Sequence, residues 1–307
     1  MLKKIRDILR LLRVRQYYKN VMVFVGFFFS KSLFEIDLYF PLIVGFILLC
    51  CASSFNYIIN DLRDIEQDKL HEEKLKKKPL ASGAISKTFA IVLLSILIFI
   101  IIFGLIFIVP NYGLIFMIIL IIITGQLYNH LLKRYAFIDI IILSTGYIWR
   151  ALAGCIIIDG SVSPWLFIAI FEIAVFLSIA KRKGDLIYLG KEKAVEHKKI
   201  YDQYSLKLLD QFHVMVAGAL FVTYSLYLID RFELLLPNPT PNGYISILTI
   251  PISLYLLLRY MYLTSSKPEI ARSTERAFFD KGIIIAGVLL MGILFYSFYF
   301  EIILDLL

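Results

Sequence analysis

Long apolar stretches separated by short polar connections run along most of the chain. Most are close to the roughly 20 residues that a helix needs to cross the hydrocarbon core of a bilayer. They do not alternate apolar and polar residues as the strands of a membrane barrel do. The pattern therefore predicts an all-α membrane protein, a bundle of about nine transmembrane helices. The predicted spans are residues 18–34, 38–59, 88–109, 112–130, 136–158, 164–180, 211–230, 244–264 and 282–300.

The composition agrees with this pattern. Hydrophobic residues make up 60% of the 307 positions, against about 45–50% in soluble domains. The chain contains no recognisable soluble domain, linker or low-complexity segment, so residues 1–307 are predicted to form a single membrane-embedded helical domain. Its two long loops, residues 60–87 and 181–210, are predicted to form a cap over an active site.

The basic residues lie on one side of the predicted spans. If the N-terminus is cytoplasmic, 29 of the 32 lysines and arginines fall on the cytoplasmic side, as the positive-inside rule requires. We therefore expect a multi-pass protein of the cell (inner or plasma) membrane, with its N-terminus and active site in the cytoplasm. The net charge of +8 could also indicate nucleic-acid binding. Basic loops beside an anionic leaflet account for that charge, so we expect the lipid bilayer as a partner and no nucleic acid.

The densest polar signal follows the second predicted span, in the run from Asn60 to Asp68. In a continuing helix Asp61, Asp64 and Asp68 are spaced i, i+3 and i+7 and share one face. Clustered carboxylates repel unless a cation neutralises them, and Mg²⁺ is typically held by a few carboxylates together with substrate phosphates. A solvated acidic helix end is the simpler alternative. Asn60 extends the polar face into the apolar span, where polar groups are costly, so the run predicts a magnesium–diphosphate site.

Four lysines follow the acidic run, at Lys74, Lys76, Lys77 and Lys78. They are candidates for the anion-binding half of the same site, because lysine forms charge-assisted hydrogen bonds to phosphate. The alternative is a basic anchor at the membrane surface.

Arg150 lies within a predicted span, about ten apolar residues from its cytoplasmic end. An intramembrane arginine is costly and usually faces a polar cavity or a partner, so we expect a functional role or a structural pairing. Asp139 is a further candidate near the start of the same span. An acid in the first turn also stabilises a helix by itself, and that alternative stays open.

Two other basic segments resemble phosphate clamps. Lys181, Arg182 and Asp185 open the second long loop, and Arg15 and Lys19 precede or begin the first span. Basic and aromatic residues at these positions are also typical of anchors at the membrane interface.

At these residues the chain resembles the UbiA superfamily of membrane-embedded prenyltransferases. The resemblance rests on Asn-Asp-x-x-Asp-x-x-x-Asp at residues 60–68, on Pro-x-Ala-Ser-Gly at residues 79–83, and on the nine-helix hydropathy. Within the superfamily the chain is most similar to the decaprenyl-phosphate phosphoribosyltransferase branch. Matching positions run in family order from about residue 13 to 205: Arg15, Lys19, Asn20, Tyr128, Lys133, Asp139, Gly146 to Gly154, Lys181, Arg182, Asp185 and Tyr201 to Tyr204.

The resemblance implies an enzyme of the cell envelope. It would transfer a 5-phosphoribosyl group from phosphoribosyl pyrophosphate to a polyprenyl phosphate and release pyrophosphate. Asp61, Asp64 and Asp68 would hold Mg²⁺ and act in catalysis with Asn60. The residues expected to bind the substrates are Arg15, Lys19, Lys74, Lys78, Tyr128, Lys133, Asp139, Arg150, Lys181, Arg182 and Asp185. Some of Lys19, Lys133, Lys181 and Arg182 would position the lipid phosphate.

Two positions depart from the family pattern. Lys78 stands where the family usually has arginine, and Asp185 stands where it usually has glutamate. Both keep the charge, but lysine cannot clamp a phosphate with two parallel hydrogen bonds as arginine does.

Two other functions are weighed against this one. A UbiA-type aromatic prenyltransferase would place a prenyl diphosphate on the acidic run. Such relatives usually carry a second Asp-x-x-x-Asp-type motif after the sixth span, where this chain reads Lys-Arg-Lys-Gly-Asp at residues 181–185. A transporter would often show inverted repeats and midplane charges, and no convincing repeat is found. A homo-oligomer is compatible with the sequence.

Overall fold

The computed structural model describes residues 2–70, 75, 77–161, 163–237, 240–272 and 274–306. Regular structure in these ranges is helical, and they contain no strand. The α-helices are α1 (Leu2–Leu11), α2 (Val25–Phe29), α3 (Tyr39–Arg63), α4 (Ile65–Lys69), α5 (Lys87–Phe103), α6 (Tyr112–His130), α7 (Ile138–Ile157), α8 (Pro164–Leu189), α9 (Lys191–His197), α10 (Leu206–Arg231), α11 (Pro241–Ser246), α12 (Thr249–Ser266), α13 (Pro268–Arg272) and α14 (Lys281–Leu306). The 3-10 segments are Val14–Phe24, Ile36–Leu38, Leu132–Arg134, Lys199–Gln203 and Thr274–Phe279, and a π segment, Gly104–Ile108, extends α5.

Eight helical runs among the described residues are long and apolar enough to cross a membrane. They are Ile36–Arg63, Lys87–Ile108, Tyr112–His130, Ile138–Ile157, Pro164–Leu189, Leu206–Arg231, Pro241–Ser266 and Lys281–Leu306. The all-α, multi-pass fold is confirmed, and the predicted number of about nine spans agrees approximately.

The difference lies in the first predicted span, residues 18–34. There the chain forms the 3-10 segment Val14–Phe24 and the five-residue helix α2. The left-handed backbone of Arg13, with φ of 53°, separates this segment from α1. Lys19 and Asn20 also interrupt the apolar stretch, so the segment lacks the continuous apolar surface of a spanning helix.

Short polar residues explain where several helices begin. Ser86, Asn111 and Ser205 each accept a hydrogen bond from the backbone N–H three residues later, at 3.2, 3.0 and 3.2 Å. They therefore cap α5, α6 and α10. Pro164 occupies the first turn of α8, where its missing N–H leaves no intrahelical bond unmade.

The chain divides into two compact units. Unit 1 comprises Met1–Leu132 and Gly146–Ser161, and in it α3 packs against α5, α6 and the segment Val14–Phe24. Unit 2 comprises Lys133–Thr145 and Val162–Leu307, and in it α8 packs against α10 and α13, and α12 packs against α14. The organisation as a single domain stays a prediction.

Glycines allow close backbone contacts within unit 1. A Cβ added to Gly154 would lie 1.8 Å from the carbonyl oxygen of Val23. A Cβ on Gly125 would lie 2.4 Å from the side-chain nitrogen of Asn56. Small residues let membrane helices approach in this way. Gly154 thus allows the segment Val14–Phe24 to lie against α7, and Gly125 allows α6 to lie against α3.

The chain after α8 forms a packed loop in unit 2. Ala194 and Tyr201 are fully buried, and Tyr204 is nearly so. The ammonium group of Lys191 donates to the carbonyl oxygens of Tyr201, Asp202 and Tyr204, at 2.6, 2.8 and 2.7 Å. One side chain therefore satisfies three backbone acceptors, two in the 3-10 segment that follows α9 and one directly after it.

Candidate active site

The acidic run lies where α3 meets α4. Helix α3 ends at Arg63, Asp64 forms the turn, and α4 begins at Ile65. The amide of Asp68 still donates to the carbonyl oxygen of Asp64 at 2.9 Å, so the predicted helical spacing is nearly kept. Asp61 and Asp68 are each only 2% exposed, which places both carboxylates inside unit 1.

The carboxylates of Asp61 and Asp68 both bind a single ammonium group. Lys78 Nζ lies 2.9 Å from Asp61 Oδ1 and 2.5 Å from Asp68 Oδ2. Asp61 Oδ1 also accepts a hydrogen bond from Arg13 Nη2 at 2.8 Å. The Arg13 guanidinium stacks over the ring of Tyr57, 4.4 Å from its centroid. Two cations therefore neutralise the two buried carboxylates, as burial of charge requires.

Asp64 and Asn60 have a different partner. Arg63 Nε donates to Asp64 Oδ1 at 3.1 Å, and Arg63 Nη2 donates to Asn60 Oδ1 at 3.5 Å and to the carbonyl oxygen of Asn129 at 2.9 Å. These contacts tie the end of α3 to the end of α6. The structure thus brings two of the three predicted metal ligands together and gives Asp64 an ion pair of its own.

The oxygen donors of Asp61 and Asp68 fit a magnesium ion. Across the ranges that the structure describes, no three Asp, Glu, His or Cys side chains are grouped closely enough to hold a metal. Asp61 and Asp68 nevertheless converge on one positive atom, Lys78 Nζ. Mg²⁺ is usually bound by one or two carboxylates together with waters and substrate phosphates, so these two residues would hold it once Lys78 has moved aside.

Arg150 is bound by neutral oxygens within unit 1. Its Nε donates to Asn20 Oδ1 at 2.6 Å, Nη1 to the carbonyl oxygen of Gly146 at 2.5 Å, and Nη2 to Ser53 Oγ at 3.2 Å. These bonds join α7, α3 and the segment Val14–Phe24. The intramembrane arginine faces polar partners, as the sequence predicts.

Lys19 lies close to Arg150. Its ammonium group interacts electrostatically with Arg150 and with Tyr57. Ser53, Tyr57 and Asp61 are spaced by four residues along α3 and therefore share one helix face. We call this face, together with Arg13, Lys19 and Arg150, the polar column of unit 1.

In unit 2, Arg182 and Asp139 form a buried ion pair. Their residues are 3% and 0% exposed. Arg182 Nη2 and Nε lie 2.7 and 2.9 Å from Asp139 Oδ2. Tyr204 donates to the other carboxylate oxygen of Asp139 at 2.6 Å. The pair is enclosed by protein, and its geometry favours a role in holding the loop after α8.

Asp185 is neutralised in a similar way. Arg272 Nε lies 2.7 Å from Asp185 Oδ1, and the hydroxyl of Tyr201 donates to Asp185 Oδ2. Burial, and then the neighbouring carboxylate, raises the pKa of the Tyr201 phenol. Burial and the bond to Asp139 likewise raise the pKa of Tyr204. Both phenols therefore stay protonated and act as donors.

Lys198 lies beside this network. Its side chain is accessible to solvent, yet desolvation by surrounding protein atoms, and then the positive charges of Arg182 and Lys181, lower its pKa to about 7. Lys198 therefore loses its proton nearer neutrality than an ordinary lysine.

The remaining predicted residues are less enclosed. Arg15 and Lys181 are exposed, and Tyr128 and Lys133 are half-buried. Lys74 lies outside the described residues.

Three residues of these networks are absent from the predicted set: Arg13 and Arg272, which bind Asp61 and Asp185, and Tyr57, which lies under the Arg13 guanidinium. Tyr57 carries a usable signal, because it lies one helical turn before Asp61. Arg13 and Arg272 carry none, since each resembles the many basic residues near membrane surfaces. Their partners, Asp61 and Asp185, are 48 and 87 residues away in sequence.

Curated relatives agree with the resemblance. A protein named decaprenyl-phosphate phosphoribosyltransferase from Mycolicibacterium smegmatis is 25% identical over 235 residues, which cover 74% of this chain and 71% of the relative. A protein of the same name from Corynebacterium glutamicum is 26% identical over 261 residues, which cover 82% of this chain and 75% of the relative.

Solved structures share the fold. A UbiA homologue from Archaeoglobus fulgidus bound to DMAPP and Mg²⁺ aligns with a TM-score of 0.67 and 16% identity, over 95% of this chain and 99% of that chain. A digeranylgeranylglyceryl phosphate synthase aligns with a TM-score of 0.62 and 20% identity, over 96% and 97% of the two chains. The sequence profile of the UbiA prenyltransferase family matches residues 20–281. Since that match spans most of the chain, the protein belongs to the UbiA prenyltransferase family and is a membrane transferase.

Proposed function

We propose that the protein transfers the 5-phosphoribosyl group of phosphoribosyl pyrophosphate to a polyprenyl phosphate, in a Mg²⁺-dependent reaction that releases pyrophosphate. The names of its curated relatives support both substrates. The Mg²⁺ bound to the solved UbiA homologue supports the metal.

The observation that carries the proposal is how the carboxylates of Asp139 and Asp185 are paired. Prenyl-diphosphate-using relatives usually have a second acidic motif after the sixth predicted span. In this chain Arg182 and Tyr204 enclose Asp139, and Arg272 and Tyr201 enclose Asp185. Asp139 and Asp185 each bind an arginine of their own, whereas Asp61 and Asp68 converge on one atom, Lys78 Nζ. A divalent cation needs oxygen ligands that converge in this way. One metal–diphosphate site, in unit 1, is what a phosphoribosyl donor needs.

Asp61 and Asp68 would hold the metal, and Mg²⁺ bound there supplies charge neutralisation of the leaving pyrophosphate. Lys78 and Arg13, released from the two carboxylates, would donate to pyrophosphate oxygens in charge-assisted hydrogen bonds. Fixed donors of this kind stabilise the charge that develops on the leaving group. Asn60 and Asp64 would support the site from its α6 side.

The bond between ribose C1 and the pyrophosphate oxygen breaks, and its electron pair leaves with pyrophosphate. The new bond joins C1 to an oxygen of the lipid phosphate. That phosphate is already anionic at neutral pH, so no general base is required, and the rate gain comes from positioning and charge neutralisation.

The other sequence-based assignments remain part of the proposal. Lys133 and Lys181 are assigned to the phosphate of the acceptor. Arg182, Asp139 and Asp185, enclosed by their own partners, are assigned to positioning the loop after α8. The active site is proposed to face the cytoplasm from the plasma membrane, where the soluble donor is available.

A second candidate is prenyl transfer to an aromatic acceptor. One observation favours it: the solved homologue with the same fold binds DMAPP, a prenyl diphosphate. An acidic pair with a metal can bind any diphosphate, so the pair alone does not separate the two donors.

Measuring pyrophosphate release by the purified protein distinguishes the two candidate functions. We expect release from phosphoribosyl pyrophosphate only when polyprenyl phosphate and Mg²⁺ are both present, and loss of release in EDTA. A prenyl diphosphate with an aromatic acceptor should give none. Release from the prenyl diphosphate, with none from phosphoribosyl pyrophosphate, would refute the proposal.

A further inference from the structure

Two cations of the polar column, Arg150 and Lys19, have no carboxylate partner among the described residues. Arg150 lies within the span Ile138–Ile157, and its hydrogen bonds go to an amide oxygen, a carbonyl oxygen and a hydroxyl. Among the described residues, neither Arg150 nor Lys19 makes an ion pair with a carboxylate. By contrast, Arg13 and Lys78, nearer the end of α3, are paired with Asp61.

Two neighbouring cations are costly in a membrane interior, where charged groups normally pair with each other. Hydrogen bonds to neutral oxygens orient a guanidinium but do not cancel its charge. An anionic group placed beside both side chains would be stabilised by each of them.

The donors of this pair suit a phosphate. A guanidinium has five N–H donors, and the three hydrogen bonds of Arg150 in the described structure use one each from Nε, Nη1 and Nη2. One N–H on Nη1 and one on Nη2 remain, and the Lys19 ammonium adds three donors. Tyr57 and Tyr147 lie close to both cations. The pair can therefore supply several donors to a tetrahedral oxyanion.

The contact between Arg150 and Ser53 lies away from the acidic pair. Ser53, which binds Arg150, lies eight residues before Asp61 on the same helix. At 1.5 Å per residue this is about 12 Å along α3. A pyrophosphate held at Asp61 is too short to reach so far, whereas a ribose ring carrying a phosphate at its other end extends towards it.

We infer that Lys19 and Arg150 bind a phosphate monoester, separate from the pyrophosphate at Asp61. The inference rests on the proposed function for its two sources of such a group, the 5-phosphate of the donor and the head group of the lipid acceptor. It also explains how a donor with two phosphorylated ends would be told apart from a prenyl diphosphate, whose apolar chain would meet two cations here.

Calorimetry on the detergent-solubilised protein tests this without turnover. Ribose 5-phosphate or a short prenyl phosphate should bind to the wild type, whereas ribose should not. Arg150→Gln and Lys19→Gln should weaken the binding of that monoester about ten- to hundredfold, since each loses charge-assisted hydrogen bonds. Binding of Mg²⁺–pyrophosphate should change little. Arg150→Lys should lie between wild type and Arg150→Gln, because it keeps the charge and loses the planar fork.

Lys4→Gln is the matched control. Lys4 lies in the same N-terminal region, with its ammonium 5.8 Å from the centroid of Phe89, and it has no place in the polar column. Its variant should bind every probe as the wild type does. Lys19→Gln keeps the test decisive if Arg150→Gln does not fold.

Steady-state kinetics identify which substrate supplies the phosphate monoester. A higher KM for phosphoribosyl pyrophosphate alone assigns the pair to the donor, and a higher KM for polyprenyl phosphate alone assigns it to the acceptor. If the protein releases no pyrophosphate from phosphoribosyl pyrophosphate, the proposed function fails, while the calorimetric result still decides this inference. Wild-type binding of both monoesters by Lys19→Gln and by a folded Arg150→Gln would overturn it. So would an equal loss of Mg²⁺–pyrophosphate binding, which indicates a structural role.

Discussion

Replacing Lys78 with glutamine removes the positive charge that Asp61 and Asp68 share. Both carboxylates are almost fully buried, and Lys78 itself has only 18% of its side chain exposed. Without the ammonium group, Asp68 loses one cationic partner, and Asp61 keeps Arg13. We therefore expect the metal-free protein to be destabilised, and we expect Mg²⁺ to restore much of the loss by supplying the missing positive charge.

The size of the loss follows from burial. Removing one partner of a buried ion pair costs about 3–5 kcal/mol. The lower end applies here, because Arg13 continues to neutralise Asp61. A loss of about 3 kcal/mol corresponds to a melting temperature lower by about 6–12 °C. Mg²⁺ should raise the melting temperature of Lys78→Gln more than that of the wild type, since metal binding to the variant displaces no ammonium group.

Thermal unfolding of the solubilised protein, with and without Mg²⁺, measures both effects. Lys69→Gln is the control, because Lys69 pairs with Glu66 at 3.1 Å in a site where the two side chains are 48% and 72% exposed. An exposed pair of this kind contributes about 0–1 kcal/mol. Equal shifts in the two variants, or equal protection of wild type and Lys78→Gln by Mg²⁺, would refute the reasoning.

Asp61→Asn should abolish pyrophosphate release in a folded protein by removing a metal-holding charge, and the exposed Asp37→Asn should not; an active Asp61→Asn enzyme would rule out the acidic site. Lys198→Gln should flatten the pH dependence of stability above pH 7. The unfolded lysine keeps its proton up to about pH 10.5 and the folded one only up to about 7, so the unfolded state holds more protons in that window and wild-type stability rises with pH there. Identical melting curves across that window for both proteins would contradict this assignment. Glu192→Cys on α9 should react with an impermeant maleimide only in inside-out vesicles, against a background of buried native cysteines; reaction in intact cells would reverse the orientation.

The spanning helices could be predicted because lipid imposes a simple rule on length and polarity. The same rule does not describe residues 18–34, where the Asn20 side chain binds Cys50, Ser53 and Arg150 and the chain forms a 3-10 segment. The spacing of Asp61 and Asp68 was also readable, since helical periodicity determines which residues share a face.

The partners of the charged residues could not be read from the sequence. Arg182 and Lys78 are both cations beside acidic motifs, yet Arg182 is enclosed with Asp139 and Lys78 bridges two carboxylates. Which carboxylate a cation meets depends on chain segments that are distant in sequence. Arg182 and Asp139, for example, are 43 residues apart.

The loop after α8 is held in place by its own contacts. The Lys191 ammonium donates to three carbonyl oxygens, and the side chains of Tyr201 and Tyr204 are buried. A ligand that meets a preorganised loop loses little free energy to conformational entropy, whereas one that must order a mobile loop loses roughly 0.5–1.5 kcal/mol for each side chain it immobilises. A change at Lys191 would therefore weaken binding through this entropic cost, even though the residue need not touch the ligand.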